Sequence, residues 1–235
     1  ISQFAMIQKL RRIFSEIFID PMPLTDFSNY DSYWDMRQKQ DPKYRFVWIA
    51  RHLPAKAKVL DIGCGDGAFL EYAKMEKPEL DLVGIDASET AIRMLRAKGL
   101  MGEVVNDLND PDLANFRDVD IIVTMELIEH LSEPELLMKE FLKTEAEVFY
   151  ITIPNMGFIV NRLRLALGGK MPVTAIVYHI KEHLRFWTVR DFRHWADHCG
   201  FTVVEYAGQN GFFGLWRVWP SLFARQMMYV LKAKR

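Results

Sequence analysis

Lys58-Val59-Leu60-Asp61-Ile62-Gly63-Cys64-Gly65-Asp66-Gly67-Ala68-Phe69-Leu70 is the stretch of sequence that decides the fold. Its apolar run ends at three glycines within five residues, and apolar residues at helical spacing follow. This order predicts a strand, a tight turn and a helix. Glycines let the backbone adopt positive φ and approach a ligand closely, and the helix N-terminus offers unpaired N–H groups. The stretch therefore predicts a ligand-binding loop.

Two classes of ligand fit this loop. Residues 63–68 satisfy a relaxed dinucleotide pattern, G-x-G-x-x-A, whose glycines serve the turn and the approach of a pyrophosphate. Residues 61–67 read D-x-G-x-G-x-G, which resembles the first motif of the class I S-adenosylmethionine-dependent methyltransferases. Asp61 and Asp66 flank the glycines, and two anions suit a sulfonium amino acid better than a pyrophosphate. We therefore favour S-adenosyl-L-methionine, with S-adenosyl-L-homocysteine as product, over NAD.

Composition and charge limit the classes of function. The chain has 235 residues, of which 50% are apolar, so it can bury one good core. A net charge of −1 gives no overall reason to expect a nucleic acid or an anionic membrane as partner. No apolar run approaches the ~18 residues of a transmembrane segment. Cys64 and Cys199 would need a special geometry to form a disulfide, which favours the reducing cytoplasm.

We expect two regions along the chain. Residues 1–50 form an N-terminal helical segment and cap, and residues 51–235 form the methyltransferase domain, with a lid insertion at about 155–187. Downstream of the loop, strands and helices alternate as in a doubly wound α/β sheet. The second predicted strand ends at Asp86, where an acid can bind both ribose hydroxyls in either ligand class.

The resemblance to class I methyltransferases implies a Rossmann-like fold. It implies a seven-stranded, mostly parallel sheet with an antiparallel last strand and helices on both faces. It also makes Asp107 the acceptor for the adenine amine and Leu108 a neighbour of the ring. Residues 29–37, a polar and aromatic cluster, resemble the cap that covers the donor in such enzymes, which makes Tyr33 and Arg37 candidates for binding its carboxylate end. The predicted donor-binding residues are Tyr33, Arg37, Asp61, Gly63, Cys64, Gly65, Gly67, Asp86, Ala87, Asp107, Leu108, Met125 and Glu126.

Met125 to His130 follow the fourth predicted strand, where residues line the crevice of an open α/β sheet. If this segment is helical, Glu126, Glu129 and His130 share one face. They can then act as a general base with orienting carboxylates, hold a divalent metal, or form a network without chemistry. The segment resembles the Glu-x-x-Glu-His signature of quinone-type O-methyltransferases, some of which carry a divalent ion. We give the metal less weight than the base.

From residue 153 onward the chain resembles a narrower family, the MetW-like methyltransferases of methionine biosynthesis. The resemblance rests on Ile153-Pro154-Asn155-Met156-Gly157, on Gly168-Gly169-Lys170-Met171-Pro172-Val173-Thr174 and on Phe186-Trp187-Thr188-Val189-Arg190. His179 and His183 stand where the family has a tyrosine-rich loop. With Tyr178 they give the predicted lid titratable groups, so His130, His179 and His183 are the catalytic candidates.

Two apolar segments have no assigned role. Phe4 to Phe18 has helical spacing with one apolar face, which favours packing on the protein's own core or a homodimer mate over a membrane surface. Phe212 to Trp219 is very apolar for a connecting segment. Three roles are open for it: lining an acceptor pocket, covering the core or making a dimer contact.

We expect in-line methyl transfer to an oxygen or nitrogen of a small-molecule acceptor, driven by positioning and electrostatics. A non-catalytic regulator that binds the donor nucleoside, and an NAD-dependent oxidoreductase, are the alternatives.

Overall fold

The structure is a computed structural model and describes residues 3–18, 43–172, 183–211 and 213–234. Some predicted site residues lie outside these ranges, so their roles stay predictions. They are Tyr33 and Arg37 at the donor carboxylate, the other cap aromatics Tyr30 and Trp34, and the lid residues Tyr178 and His179.

Strands and helices alternate along the described chain. The strands are β1 (Lys58–Ile62), β2 (Asp81–Asp86), β3 (Met101–Val104), β4 (Ile121–Met125), β5 (Val148–Pro154), β6 (Phe201–Gln209) and β7 (Gln226–Ala233). The helices are α1 (Gln3–Phe18), α2 (Tyr44–His52), α3 (Ala68–Glu76), α4 (Glu89–Ala97), α5 (Pro134–Phe141), α6 (Ile159–Gly168), α7 (Val189–His198) and α8 (Pro220–Phe223). Ser88 caps α4 and Thr188 caps α7, as Ser/Thr side chains at helix starts commonly do.

The seven strands form one sheet in the order β3-β2-β1-β4-β5-β7-β6. Strands β1 to β5 pair in parallel, and β7 runs antiparallel to both β5 and β6. The predicted Rossmann-like methyltransferase fold is therefore confirmed. The carboxyl ends of β1 to β5 lie along one edge, where ligands bind in open α/β sheets.

Each face of the sheet has its own core, because successive strand residues point to opposite faces. Leu60 and Ile122 lie on the face covered by α5 and α7, whereas Val59 and Val123 lie on the face covered by α2, α3 and α4. Phe192 of α7 stacks on Tyr229 of β7 with ring centroids 4.0 Å apart. The helix α2 spans the predicted boundary between residues 50 and 51 and packs on the second core.

Helix α1 contacts α6 through its C-terminal end. Ile17 is buried against Phe158 and Val160. The Arg164 side chain is 1% exposed and donates from Nη1 to the Glu16 carbonyl oxygen at 2.8 Å. Packing on the protein's own chain thus accounts for this end of α1, while Ile7, Leu10 and Phe14 remain exposed. No helix in the described residues is long and apolar enough to cross a membrane.

Candidate active site

A cavity of about 700 Å³ opens at the carboxyl ends of the parallel strands. Small-molecule sites are usually about 300–1,000 Å³. It starts beside Asp107 after β3, passes Asp86 and the glycine loop, and reaches His130 and His183. Its lining includes most of the described residues predicted to bind the donor: Gly63, Cys64, Gly65, Asp86, Ala87, Asp107, Leu108, Met125 and Glu126.

The glycine loop has the predicted tight turn. Gly63 has φ +73°, and a Cβ atom at this position would lie 3.0 Å from Leu127 Cδ2. The Gly63 and Cys64 N–H groups both donate to the Ile85 carbonyl oxygen, at 2.8 and 3.1 Å. Burial raises the pKa of the Cys64 thiol, so this cysteine stays protonated within the loop. The loop is therefore fixed to β2 and presents backbone to the cavity.

The sequence predicts that both acidic residues flanking the glycines face the ligand. In the structure only one of them, Asp66, lines the cavity. Asp61 is 1% exposed and absent from the cavity lining, and neither of its carboxylate oxygens has a hydrogen-bond partner among the described residues. Burial, followed by the charge of Asp86, raises its pKa, and Arg45 opposes the shift. Asp66 lines the cavity, but its Oδ2 lies 3.2 Å from Lys98 Nζ. Anionic charge around the glycines is therefore smaller than the sequence indicates.

Asp86 ends β2 with a carboxylate held by two backbone donors. Its Oδ2 accepts from the Gly65 N–H and its Oδ1 accepts from the Ser88 N–H, both at 2.9 Å. The side chain is 8% exposed and lines the cavity. Each carboxylate oxygen can accept more than one hydrogen bond. The Asp86 carboxylate can therefore also accept hydrogen bonds from the two hydroxyl groups of a ribose.

Asp107 lies at the β3 end of the cavity and is exposed. Its Oδ1 accepts from the backbone N–H and the side-chain amide of Asn109, both at 2.8 Å. These hydrogen bonds lower the pKa of Asp107, so it is a carboxylate at neutral pH. Leu108 is half-buried beside it and lines the cavity. A fixed acceptor next to an apolar side chain suits a purine ring with an exocyclic amine.

Glu126 is not part of a helix with Glu129 and His130, so the condition for their shared face is not met. Only residues 128–130 form a helical turn, a 3₁₀ one, and Glu126 has φ 53°. Its Oε1 accepts from the Thr152 hydroxyl at 2.9 Å and its Oε2 accepts from Gln226 at 2.6 Å. Left-handed backbone at a non-glycine residue is uncommon. The strands β5 and β7 hold this carboxylate at the cavity wall, apart from His130.

A different cluster combines Glu129, His130 and His183. Their ligand atoms all lie within 4.8 Å of one another, and the two imidazole rings are 4.6 Å apart at 84°. The Glu129 side chain is buried, and its carbonyl oxygen accepts from the Leu184 and Arg185 N–H groups. Burial, with a smaller effect of His130, lowers the pKa of His183 to about 3. Two imidazoles and a carboxylate can move a proton or hold a divalent ion.

The stretch before α8 does not line the cavity in its described residues, 213–219. Leu215, Val218 and Trp219 are exposed, and Trp216 packs against Tyr44 with ring centroids 5.4 Å apart. The acceptor-pocket interpretation of this stretch is therefore wrong for these residues. Sequence analysis also missed several cavity residues, which no local motif marks: Lys43, Arg45, Phe158, Asn161, Asn210, Arg225 and Gln226.

Comparison with known proteins places these features in a family context. A family model described as methionine biosynthesis protein MetW matches residues 43–231. A ubiquinone biosynthesis O-methyltransferase of Coxiella burnetii is 25% identical over 208 residues, covering 83% of this chain and 87% of the relative. Another, from Acinetobacter baylyi, is 29% identical over an alignment of 156 positions. That alignment covers 59% of this chain and 65% of the relative, slightly under two thirds of the relative's length.

Among solved structures, a complex between the Trm112 methyltransferase activator of Haloferax volcanii and a methyltransferase is similar, with a TM-score of 0.61. The match covers 90% of this chain and 100% of that one at 14% identity. At this identity the likeness concerns the fold alone.

Proposed function

Because the chain belongs to the MetW family and is an S-adenosylmethionine-dependent methyltransferase, we propose that it methylates an oxygen or nitrogen atom of a small-molecule acceptor. One observation carries the proposal: the cavity continues beyond the predicted donor-binding residues to His130 and His183. Donor binding alone does not need this additional space. Methyl transfer needs it, because the acceptor must lie beside the methyl group with water excluded.

The donor fits along the strand ends in one direction. Asp107 accepts from the adenine amine after β3, Asp86 accepts from the ribose hydroxyls at β2, and the glycine loop contacts the remainder beside β1. The parallel order β3-β2-β1-β4 makes this a continuous path. The methyl group then points towards Met125 to His130, which follow β4. The donor supplies a methyl group on a sulfonium, which needs no metal or base for its own activation.

His130 is the residue we assign to the acceptor's proton. It lines the cavity and is half-buried, so it is accessible from the acceptor space. His183 lies against it, and its low pKa keeps this second imidazole uncharged near neutral pH. An uncharged neighbour does not add a positive charge that would oppose protonation of His130. A positioned base typically contributes about 10²- to 10⁴-fold in rate when the acceptor must lose a proton.

A divalent ion is the alternative role for the same residues. Glu129, His130 and His183 offer one oxygen and two nitrogen ligands, a set that suits zinc, manganese or iron. A bound ion would lower the pKa of an acceptor hydroxyl. Glu126 lies outside this cluster, since its carboxylate is bound by Thr152 and Gln226. We favour the base, because transfer to a phenol, carboxylate or amine does not require an ion.

The cavity lining beyond the predicted donor-binding residues has mixed polarity. It includes the apolar side chain of Phe158 and the amides of Asn161, Asn210 and Gln226, of which Gln226 is hydrogen-bonded to Glu126 and Asn210. This combination suits a small organic molecule with an apolar body and a few polar substituents. The two ubiquinone-pathway relatives are named as O-methyltransferases, which favours an oxygen acceptor. The net charge of −1 gives no electrostatic basis for a nucleic acid.

Parallel calorimetric titrations with S-adenosylhomocysteine and NAD test the donor assignment. We expect micromolar binding of S-adenosylhomocysteine, roughly −7 to −9 kcal/mol, and no binding of NAD. Methyl transfer from labelled S-adenosylmethionine to a panel of phenols, carboxylic acids and amines then tests the acceptor class. Donor binding without transfer to any fraction of a cell extract would identify the chain as a regulator instead.

A further inference from the structure

Helix α1 has an apolar face that none of the roles above uses. Its side chains are spaced by three or four residues, so they lie along one side of the helix. Each remains between 41% and 60% exposed in the described residues: Ile7, Leu10, Phe14 and Phe18. We call these four side chains the outer face of α1. An exposed apolar patch of this kind on a folded chain indicates an interaction site.

The opposite side of α1 is fixed to the protein, so the outer face is held in place. Ile17 is buried against Phe158, at the start of α6. The two chains approach closely at Gly168, where a Cβ atom would clash with the Ile17 carbonyl oxygen. Glu16, the only acid of α1, forms an ion pair with Arg225 at 2.6 Å. Packing on the protein's own core therefore accounts for the inner side of α1 and leaves the outer face without a role.

The local charge indicates the kind of partner. Helix α1 contains Lys9, Arg11 and Arg12, and its one acid, Glu16, is already paired. Residues 159–172, which include α6, add three basic residues and no acid. The two segments together carry six basic residues and one acidic residue, so their net charge is +5, whereas the whole chain has a net charge of −1. This part of the surface therefore attracts anions.

Apolar side chains and cations occur together on the outer side of the helix. Arg11 is exposed, and it follows Ile7 by four residues and precedes Phe14 by three, so it lies beside both on the helix surface. A basic helix with an exposed face of Phe, Leu and Ile is typical of helices that lie in the interface of an anionic membrane. We infer that α1 binds the surface of an anionic lipid bilayer, with its outer face inserted among the headgroups.

Two other partners fit the same surface less well. A second copy of the chain would bring the two positive clusters together, because a two-fold contact pairs the same surface with itself. A nucleic acid would match the charge through its phosphates but would leave the aliphatic side chains of Ile7 and Leu10 without an apolar partner. An anionic bilayer offers both the negative charge and the apolar environment.

Co-sedimentation of the full chain with lipid vesicles tests the inference. Vesicles of phosphatidylcholine alone are compared with vesicles of equal parts phosphatidylcholine and phosphatidylglycerol, at low and at high salt. Phe14→Gln removes apolar surface from the outer face, and Arg11→Gln removes a charge beside it. Met75→Gln and Arg51→Gln alter an exposed methionine of α3 and an exposed arginine of α2, and are the matched controls. Because all four side chains are exposed, none of the variants should lower the thermal midpoint appreciably.

The expected result depends on both the apolar face and the charge. The wild type should bind the anionic vesicles about 10-fold more tightly than the neutral ones, and high salt should remove the difference. Phe14→Gln should weaken binding to anionic vesicles by about 10-fold, because an aromatic ring no longer enters the lipid. Arg11→Gln should weaken the same binding by about fivefold and leave any binding to neutral vesicles unchanged. Both controls should match the wild type.

Two results would overturn the inference. The first is no binding of the wild type to anionic vesicles; self-association that Phe14→Gln abolishes would then assign the outer face to a second copy. The second is binding that Phe14→Gln and Arg11→Gln leave unchanged, which would place the lipid contact elsewhere on the chain. Neither result bears on the binding of S-adenosylhomocysteine, so the proposed function is tested separately.

Discussion

Asp86→Ala is the substitution that examines the donor site in most detail. In the ligand-free protein it removes two hydrogen bonds from the backbone N–H groups of Gly65 and Ser88, each 2.9 Å long. Hydrogen bonds to charged groups contribute about 1.5–3 kcal/mol each. Water can replace part of this contribution when the side chain is removed, so we expect the free energy of unfolding to fall by about 2–4 kcal/mol. For a chain of this size the thermal midpoint should fall by roughly 4 to 16 °C.

The same substitution should weaken binding of S-adenosylhomocysteine by about 1.5–3 kcal/mol, because the ribose hydroxyls lose a charged acceptor. A 2′-deoxy form of the ligand separates this contact from damage to the loop. The wild type should bind the deoxy ligand more weakly than the parent, whereas Asp86→Ala should bind both equally. Asp81→Ala is the control, since Asp81 is exposed at the other end of β2. The ribose assignment is refuted if Asp86→Ala still prefers the parent ligand as strongly as the wild type does.

Three further predictions concern the histidine cluster. His130→Ala should reduce turnover by about 10²- to 10⁴-fold, while binding of S-adenosylhomocysteine stays within about twofold. The control, His194→Ala, alters an exposed histidine and should change neither quantity. Unchanged turnover in His130→Ala would refute the assignment of His130 as the base. The pKa of His183 is about 3 in the folded chain against 6.5 unfolded, so the unfolded state binds the extra proton as the pH falls below 6.5. Stability should therefore drop by up to about 2 kcal/mol between pH 7 and pH 5, and this slope should be smaller in His183→Gln when unfolding by urea is followed across pH. Chelation of divalent ions should leave turnover within about twofold, whereas a loss that added magnesium or manganese restores would assign Glu129, His130 and His183 to a metal site.

The fold and the donor side of the site could be predicted because their signals are local. Three glycines, the strand before them and the start of the helix after them lie within thirteen residues, and each follows a short-range backbone preference. Asp86 could be placed because it ends a strand at a fixed spacing from the loop. Long, regular patterns of this kind depend little on distant contacts.

The acceptor side could not be predicted in the same detail, because distant parts of the chain assemble it. Glu126 adopts left-handed backbone and bonds to Thr152 and Gln226, which are 26 and 100 residues away in sequence. Its local spacing indicated a helix instead. The local sequence indicates a ligand-facing anion at Asp66, but Lys98, at the C-cap of α4, forms an ion pair with its carboxylate. No motif marks Arg45, because its place in the cavity wall depends on how α2 packs in the folded chain.

The most direct test of the central claim follows the methyl group itself. The chain is incubated with S-adenosylmethionine labelled in the methyl group and with a cell extract separated into small molecules, protein and RNA. We predict that label enters the small-molecule fraction, and that Asp86→Ala and His130→Ala both reduce this transfer. Transfer into the RNA or protein fraction alone, or no transfer while S-adenosylhomocysteine binds, would contradict the assignment of a small-molecule methyltransferase.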